Sequence, residues 1–503
     1  MARPFHRLKA ALLGTALFAG HQSPASADMA VPPTRLGINV SSVNWYSGDH
    51  AFTNLTIGDH WKWAAPGGWK PYDPQYLGAN GELLAVPVGG DAVKMLVRPD
   101  TGPGGVDITC SYAGSAELTV KGSGINNVSV RPGSVSFHWV NRWQKETVWI
   151  QVHSVKPGAP LHDLDCHKAT AKAGDVFDPD FLRNLSGYQV IRFMDWQRAN
   201  ANEPHLSWQS RHLPSAADYV TADGVPAELM IKLANTVGAD AWFSIPWGAD
   251  DDYVKNFSEM VRDKLAPNHK VYVELGNEIW NWSFAASKMA AKEGQDLNLS
   301  TNPTVAQQRR YAQRIVQMMK IWEATFKGQE KRLVRVVATQ NTNPHVAEIA
   351  LESPDLPTHV DALATAPYFG WDIMKAGKTS DLDEIFRRLN DSADNALATA
   401  LQNKAIAAKY GKAYITYEAG QHVVIPGDVP LEQSIQRDPR MHDAYRHYIG
   451  GWRKKIGNLL TMFGTAGPIG PGGAWGMVEH AGQSPAEAPK LRAMREELGQ
   501  PSN

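Results

Sequence analysis

The sequence predicts a (β/α)8 TIM barrel with a small antiparallel β-sandwich inserted between barrel strands one and two. Two observations predict this fold class. From Glu82 to Val155 the chain consists of short strands, rich in β-branched residues and separated by Gly, Pro and Asn turns, which is typical of a sandwich. From about Phe177 short apolar strands alternate with long amphipathic helices, which indicates a parallel sheet covered by helices.

The chain of 503 residues is long enough for a barrel and an additional module. Hydrophobic residues make up 43% and charged residues 20% of the chain, which excludes a disordered or fibrous protein. Lys plus Arg number 50 and Asp plus Glu number 51, and this balance argues against a dedicated nucleic-acid or anionic-membrane binder. The 17 tryptophans indicate either a Trp-rich core or a surface that stacks on flat ligands.

The first 27 residues have the features of a signal peptide. Three basic residues precede a short apolar run from Ala10 to Gly20. Ala25-Ser26-Ala27 fits a small-x-small cleavage site. About ten apolar residues are too few to span a bilayer. We therefore expect residues 1–27 to be removed, the mature protein to be secreted or periplasmic, and no part of it to insert in a membrane.

The first barrel strand is predicted at Arg35–Val40, a short apolar run that ends in a polar loop. Only seven candidate strands follow the sandwich, and a barrel needs eight. The alternative is an N-terminal sandwich that includes this strand, followed by an irregular barrel. The favoured division is a signal peptide (1–27), the first barrel strand and helix (28–69), the inserted sandwich (70–168) and the remainder of the barrel (169–503).

The sandwich and the barrel each have a predicted set of elements. The sandwich strands are Glu82–Val88, Ala92–Val97, Val106–Tyr112, Ala116–Lys121, Val128–Trp139 and Glu146–Val152. The later barrel strands are Gln189–Met194, Ala241–Ile245, Val271–Leu275, Val334–Ala338, Ala362–Ala366, Ala413–Tyr417 and Leu459–Phe463. Helical patterns between them include Tyr253–Leu265, Val305–Phe326, Leu382–Tyr410, Met441–Ile456 and Pro485–Leu498.

The chain has two cysteines, Cys110 and Cys166, and in an oxidising compartment two cysteines are enough for one disulfide. The bond would join a sandwich strand to the segment just past the last predicted one. The alternative is a pair of free buried thiols. Metal ligation is not expected, because no close Cys/His spacing accompanies them.

Two glutamates follow predicted barrel strands at the end where such barrels carry their reactive groups. Glu278 follows strand four in Gly276-Asn277-Glu278, and Glu418 follows strand seven after Tyr417. Either one alone would more often cap a helix or pair with a surface lysine. Together they match the requirement of glycoside cleavage for two carboxyl groups that flank one bond.

With these residues the barrel resembles the clan A retaining glycoside hydrolases. The resemblance implies that Glu278 is the acid/base and Glu418 the nucleophile. It covers roughly residues 36–66 and 177–480 and does not extend to the sandwich. The usual Pro after Asn-Glu is replaced by Ile279, and the usual Trp after the nucleophile by Ala419, so the family within the clan is not assigned.

The same resemblance implies roles for residues around the two carboxyl groups. Arg192 resembles the strand-two arginine near the nucleophile, and Tyr368 the strand-six tyrosine that hydrogen-bonds it. Asn277 would hold the sugar 2-hydroxyl, and Glu274 matches a common feature of strand four. From the residues themselves, a buried ion pair of Arg192 with Asp195 or Glu274, and plain packing of Tyr368, stay open.

Further residues at the strand ends are candidates for binding sugar. Asp195 could bind hydroxyl groups, and Gln421 and His422 follow the nucleophile. Seven tryptophans at or beyond strand ends could stack on sugar rings: Trp45, Trp196, Trp247, Trp280, Trp282, Trp371 and Trp475. The run from Asp250 to Asp252 could bind Ca²⁺, but it directly precedes a predicted helix, where acidic residues are common.

The leading expectation from the sequence is a secreted retaining glycoside hydrolase that cleaves a β-linked polysaccharide, such as a β-glucan of the cellulose type, in an endo fashion. A two-carboxylate double displacement needs no cofactor. The expected partner is a polysaccharide or oligosaccharide substrate, with no nucleic acid. The alternative is a non-catalytic carbohydrate-binding or polysaccharide-assembly protein built on the same barrel.

Overall fold

The computed structural model describes residues 31–141, 146–172, 174–200, 205–220, 224–375 and 377–501. The predicted signal peptide, residues 1–27, lies outside this part of the chain. The described residues form seventeen β-strands and ten α-helices. None of the helices described is both long and apolar enough to cross a bilayer.

The strands fall into three groups along the chain. The first strand is β1 (Thr34–Asn39). Nine strands follow it: β2 (Lys62–Ala65), β3 (Gly68–Pro71), β4 (Asp91–Met95), β5 (Val106–Ala113), β6 (Ala116–Gly122), β7 (Ile125–Arg131), β8 (Ser134–Trp139), β9 (Val148–Val155) and β10 (His162–Lys168). The last seven are β11 (Val190–Arg192), β12 (Asp240–Ile245), β13 (Val271–Leu275), β14 (Leu333–Ala338), β15 (Ala362–Thr365), β16 (Ala413–Thr416) and β17 (Asn458–Met462).

The helices all lie after the nine middle strands. They are α1 (Pro179–Leu185), α2 (Ala227–Val237), α3 (Asp251–Lys264), α4 (Ala285–Asp296), α5 (Pro303–Thr325), α6 (Pro344–Leu351), α7 (Leu382–Lys409), α8 (Val429–Arg437), α9 (Arg440–Lys455) and α10 (Pro489–Glu497).

Eight parallel strands form a nearly closed barrel in the order β16-β15-β14-β13-β12-β11-β1-β17. The two outer strands meet where the Thr461 N–H donates to Thr416 Oγ1 at 2.7 Å. Every residue of β12 and β13 is buried, as expected for parallel strands covered on both faces. The predicted (β/α)8 barrel is therefore confirmed, with each of its eight strands within two residues of the predicted bounds.

Five helices begin after an Asp or Asn whose side chain accepts a hydrogen bond from the first turn, the usual arrangement of an N-cap. At α3 the cap is Asp250, which accepts from the Tyr253 N–H, and the next two aspartates lie in the first turn. This run of three acidic residues therefore serves as the start of a helix. Among the described residues no cluster of acidic, His or Cys side chains is arranged to hold a metal ion.

Strands β2–β10 form two antiparallel sheets between the first and second barrel strands. The four-stranded sheet has the order β10-β5-β8-β7, and the five-stranded sheet the order β3-β2-β4-β9-β6. Side chains of both sheets, such as Ile108, Ile150 and Trp139, pack in one buried cluster that is separate from the cluster around the barrel.

The structure corrects the prediction for this region in three places. Leu83 makes only isolated bridges in place of the predicted strand Glu82–Val88. The predicted strand Val128–Trp139 is instead the end of β7, a turn at Gly133 with φ +75°, and β8. The five-stranded sheet starts at Lys62, so the predicted boundary at residue 70 falls inside β3.

Cys110 and Cys166 form the predicted disulfide. Cys110 lies on β5 and Cys166 directly opposite on β10. Strand β10 was not predicted, because its outward residues are polar and only Cys166 is fully buried. The bond therefore joins two neighbouring strands of the four-stranded sheet.

Candidate active site

Glu278 lies in a sharp turn that follows β13. The turn begins at Gly276, whose N–H donates to the Ile245 carbonyl at 2.6 Å. Both Gly276 (φ +66°) and Glu278 (φ +45°) adopt the left-handed region, where a residue with a side chain is strained by about 1 kcal/mol. Strain of this kind concentrates at functional sites, and here it lies at one of the two glutamates that the sequence singles out.

Arg192, on β11, is completely buried inside the barrel and connects several polar side chains. Its Nη1 donates to Glu418 Oε1 at 2.8 Å, and its Nε and Nη2 donate to Glu274 Oε2 at 3.1 and 2.9 Å. Nη2 also donates to Asn277 Oδ1 at 2.8 Å, and Nη1 to Asn39 Oδ1 at 2.9 Å. The guanidinium is thus the buried counter-charge for two carboxyl groups.

Glu418 follows β16 and is 5% exposed. Both of its carboxyl oxygens accept a hydrogen bond, Oε1 from Arg192 and Oε2 from the Tyr368 hydroxyl at 3.0 Å. A carboxylate with a guanidinium on one oxygen and a hydroxyl on the other is held in one orientation and stabilised as an anion. Both oxygens of Glu418 are therefore fixed at the end of β16, beside Arg192 and Tyr368.

Glu278 is in a different environment from Glu418. Tyr417 donates its hydroxyl proton to Glu278 Oε1 at 3.0 Å, and Asn281 Nδ2 donates to Oε2 at 2.8 Å. Burial and the nearby negative charge of Glu418 raise the pKa of Glu278 to about 7. A large fraction of this carboxyl group is therefore protonated near neutral pH, as a general acid requires.

An open cleft of about 600 Å³ exposes both carboxyl groups. Its walls combine aromatic rings with hydroxyl, amide and imidazole groups. The lining residues other than Glu278 and Glu418 are Trp280, Asn281, Gln340, Asn341, Thr342, Ala366, Tyr368, Trp371, His422, Val424, Phe463 and Trp475. Aromatic faces among polar groups that fix orientation are typical of small-molecule and sugar sites.

Five of the residues predicted to bind substrate line this cleft: Trp280, Tyr368, Trp371, His422 and Trp475. Trp371 has half of its surface exposed, with Lys375 Nζ 3.4 Å from its ring centre. The Trp475 ring lies edge-on to His422, with 4.3 Å between ring centres. These residues are accessible to a ligand that lies across the two carboxyl groups.

Three of the predicted substrate-binding residues are buried and do not line the cleft, and here the structure disagrees with the prediction. Trp196 is 1% exposed and stacks with Phe52 in the barrel core. Trp247 is 2% exposed, and its Nε1 donates to Glu293. Gln421 is 2% exposed and donates to the Ala474 carbonyl. Arg192 is also completely buried, but it lies beside Glu418, as the sequence predicts.

The remaining predicted residues lie near the site without lining the cleft. Asn277 is 3% exposed and is held by Arg192 and by Asn200 Oδ1, at 3.2 Å from its Nδ2. Asp195 accepts from the Ser42 hydroxyl at 3.4 Å, and burial together with the Glu418 charge raises the pKa of Asp195 to about 6.

Two of the predicted tryptophans also lie outside the lining of the cleft. Trp45 packs against Tyr46 and under the Arg98 guanidinium, and Trp282 is 42% exposed.

The structure adds residues that the sequence did not single out. Tyr417 and Asn281 bind the Glu278 carboxyl group, and Gln340, Asn341 and Thr342 line the cleft directly after β14. The rule that polar residues after a barrel strand face the site would have found these three. Nothing in the sequence indicated that the hydroxyl of Tyr417 reaches across to strand four.

No protein-family model and no curated protein matches the chain. Among solved structures, a GH51 arabinofuranosidase from Xanthomonas axonopodis pv. citri is similar at 12% identity and a TM-score of 0.40, over 61% of this chain and 63% of the other. An endo-1,4-β-D-mannanase from Thermotoga petrophila RKU-1 is similar at 12% identity and a TM-score of 0.34, over 62% and 91%. The chain thus spans less than two thirds of the length of the arabinofuranosidase.

Proposed function

We propose that this protein is a glycoside hydrolase. The observation that carries the proposal is the pair of carboxyl groups in one cleft. Glu418 is paired with Arg192 and Tyr368, whereas the Glu278 pKa is raised to about 7. An ionised carboxylate and a protonated carboxyl group that share an aromatic-lined cleft are what acid-catalysed cleavage of a glycosidic bond requires.

The mechanism we propose is a retaining double displacement. Glu418 attacks the anomeric carbon while Glu278 gives its proton to the leaving oxygen, so a covalent glycosyl-enzyme forms and the first sugar product leaves. Esterification removes the negative charge of Glu418, which lowers the pKa of Glu278 because the repulsion between the two groups is lost. Glu278 then takes a proton from water, which attacks the anomeric carbon and releases Glu418.

The substrate we propose is a β-linked polysaccharide that is cleaved within the chain. An open cleft with Trp371 and Trp475 along it suits several sugar units. We further propose that the two antiparallel sheets are a separate β-sandwich domain, and that the protein is secreted. A disulfide and no free cysteine in the described residues support an oxidising compartment.

The test is hydrolysis of a panel of polysaccharides, with detection of new reducing ends and of product size. The Glu278→Gln and Glu418→Gln variants should each lose activity by about 10³-fold or more, and Glu352→Gln, at an exposed site, should not. Proton NMR of the first product gives its anomeric configuration, and retention supports double displacement. Full activity of Glu418→Gln would overturn the assignment.

The non-catalytic alternative makes a different prediction for the same panel. A carbohydrate-binding or assembly protein would retain a polysaccharide without forming reducing ends, and the Gln variants would bind as well as the original protein. Affinity electrophoresis with each polysaccharide separates this outcome from catalysis.

A further inference from the structure

The segment after β17 is unusually rich in glycine and contributes one wall of the cleft. Residues 464–476 include six glycines and end next to Trp475, which lines the cleft. Glycine loses more conformational freedom on folding than any other residue. The position of Trp475 therefore depends on the contacts that hold this segment.

Two side chains from different elements hold the carbonyl group next to Trp475. Lys490 Nζ donates to the Ala474 oxygen at 2.6 Å, and Gln421 Nε2 donates to the same oxygen at 2.7 Å. Ala474 is 1% exposed and Lys490 is 6% exposed. Lys490 lies in the first turn of α10, close to the end of the chain.

A lysine in this position is costly for the fold. Burial lowers the pKa of Lys490 to about 7, and the nearby carboxylates of Glu479 and Glu432 oppose that shift. Burying an ammonium group is unfavourable unless it is paired and hydrogen-bonded. Here the hydrogen bond goes to the segment that carries Trp475.

A short series of ring contacts links the segment that Lys490 holds to the proposed catalytic groups. The Trp475 ring is centred 4.3 Å from that of His422 and 5.7 Å from that of Tyr368. Tyr368 in turn donates its hydroxyl proton to Glu418. A shift of Ala474 would therefore move the wall of the cleft beside the proposed nucleophile.

We infer that Lys490 is a positioning residue: its hydrogen bond to the Ala474 carbonyl holds Trp475 against His422 and Tyr368, where the ring packs against substrate. The kinetic part of the test rests on the proposed function. An NMR measurement tests the placement of Trp475 without it.

The kinetic test compares Lys490→Met in two backgrounds. In the original protein it should lower kcat/KM by about tenfold, mainly through KM, because a displaced ring weakens binding of ground and transition states alike. In the Trp475→Ala background the same change should cost less than about twofold, since contacts that act through one residue are not additive. Equal losses in both backgrounds, or a loss confined to kcat, would overturn the inference.

Controls separate positioning from general damage. Lys454→Met makes the same change at an exposed position on α9 and should leave KM unchanged. Lys490→Arg keeps a cationic donor and should recover part of the loss. If Lys490→Met does not fold, Gln421→Leu removes the other donor to the same carbonyl and should raise KM in the same way.

The NMR test uses protein labelled with 5-fluorotryptophan, with the Trp475 resonance identified by its loss in Trp475→Phe. In Lys490→Met this resonance should shift or broaden, and in Lys454→Met it should not. An unchanged resonance in Lys490→Met would overturn the inference even if the protein is an active hydrolase. If no polysaccharide is cleaved but the resonance changes, the proposed function fails and the placement of Trp475 by Lys490 stands.

Discussion

At the scale of single residues, the site depends on the different surroundings of two chemically identical side chains. Glu418 contacts a guanidinium, whereas the donors to Glu278 among the described residues are the neutral Tyr417 and Asn281. Because both are buried in the same cleft, the negative charge of one raises the pKa of the other. The position of Arg192, beside Glu418, therefore distinguishes the surroundings of the two carboxyl groups and supports the different roles proposed for them.

The pH dependence of kcat/KM tests this assignment. As pH rises through about 7, the pKa of Glu278, the activity should fall, because ionised Glu278 has no proton to donate. Asn281→Ala removes a donor that stabilises the ionised form, so the pKa of Glu278 should rise and the alkaline limb should move to higher pH. Asn395→Ala, at an exposed position on α7, is the control and should leave the alkaline limb in place. If the alkaline limb of Asn281→Ala stays in place or moves to lower pH, the assignment is contradicted.

Arg192→Met should destabilise the fold as well as abolish activity. It leaves the buried carboxyl groups of Glu274 and Glu418 without their counter-charge, which costs about 3–5 kcal/mol of unfolding free energy. Urea unfolding measures this, with Arg262→Met on the surface of α3 as the control. The double variant Arg192→Met/Glu274→Gln should recover part of the lost unfolding free energy, because one buried charge is removed. If nothing is recovered, the loss comes from packing and not from the uncompensated charge.

The sequence predicted which residues come to the catalytic face better than it predicted which side chains are accessible there. Glu278, Glu418 and Tyr368 could be placed because each directly follows a strand, and parallel strands end at one face. Trp196 and Trp247 follow strands in the same way, but their side chains take directions that bury them, against Phe52 and Glu293 respectively. Position after a strand does not specify this direction, since it depends on the path of each loop.

At the scale of elements, the longest helices and the buried barrel strands were predictable, whereas some short helices and exposed strands were not. Helices α5 and α7, with 23 and 28 residues, repeat the apolar period several times. Helices α1 and α6, with seven and eight residues, complete only about two turns each. Strands β2 and β3 were not predicted either, because half-exposed and exposed residues such as Lys62 and Trp69 show no alternation of burial.

The start of α3 provides a prediction at this scale. Asp250→Ala removes the side chain that caps the Tyr253 N–H at 2.7 Å, and should lower the unfolding free energy by about 1 kcal/mol. Asp263→Ala, at the other end of the same helix, removes an acidic group from a helix C-terminus and should not be destabilising. Urea unfolding compares the two; a larger loss for Asp263→Ala would contradict the role of Asp250, as would a gain in stability on adding Ca²⁺ that depends on Asp250.

At the scale of the whole molecule, the barrel and the inserted sheets have separate buried clusters. Within the cluster of the sheets, the Leu55 N–H donates to the Cys166 carbonyl, and the Leu55 carbonyl accepts from the Val97 N–H, both at 2.7 Å. On the barrel side, the Ala217 carbonyl accepts from the buried Lys94 Nζ at 2.8 Å. The segment before β2 is thus held to the sheets close to one end of the disulfide, and the Lys94 side chain connects the sheets to the barrel side.

Replacing both Cys110 and Cys166 by Ala should weaken the sheets more than the barrel. The bond joins residues 56 positions apart, and closing a loop of that length restricts the unfolded chain by about 4 kcal/mol. Hydrogen exchange should therefore become faster in β5 and β10, which carry the two cysteines, than in β12 and β13, which belong to the other cluster. Equal acceleration in all four strands would show that sheets and barrel unfold as one unit, because the disulfide then stabilises a single cooperative structure.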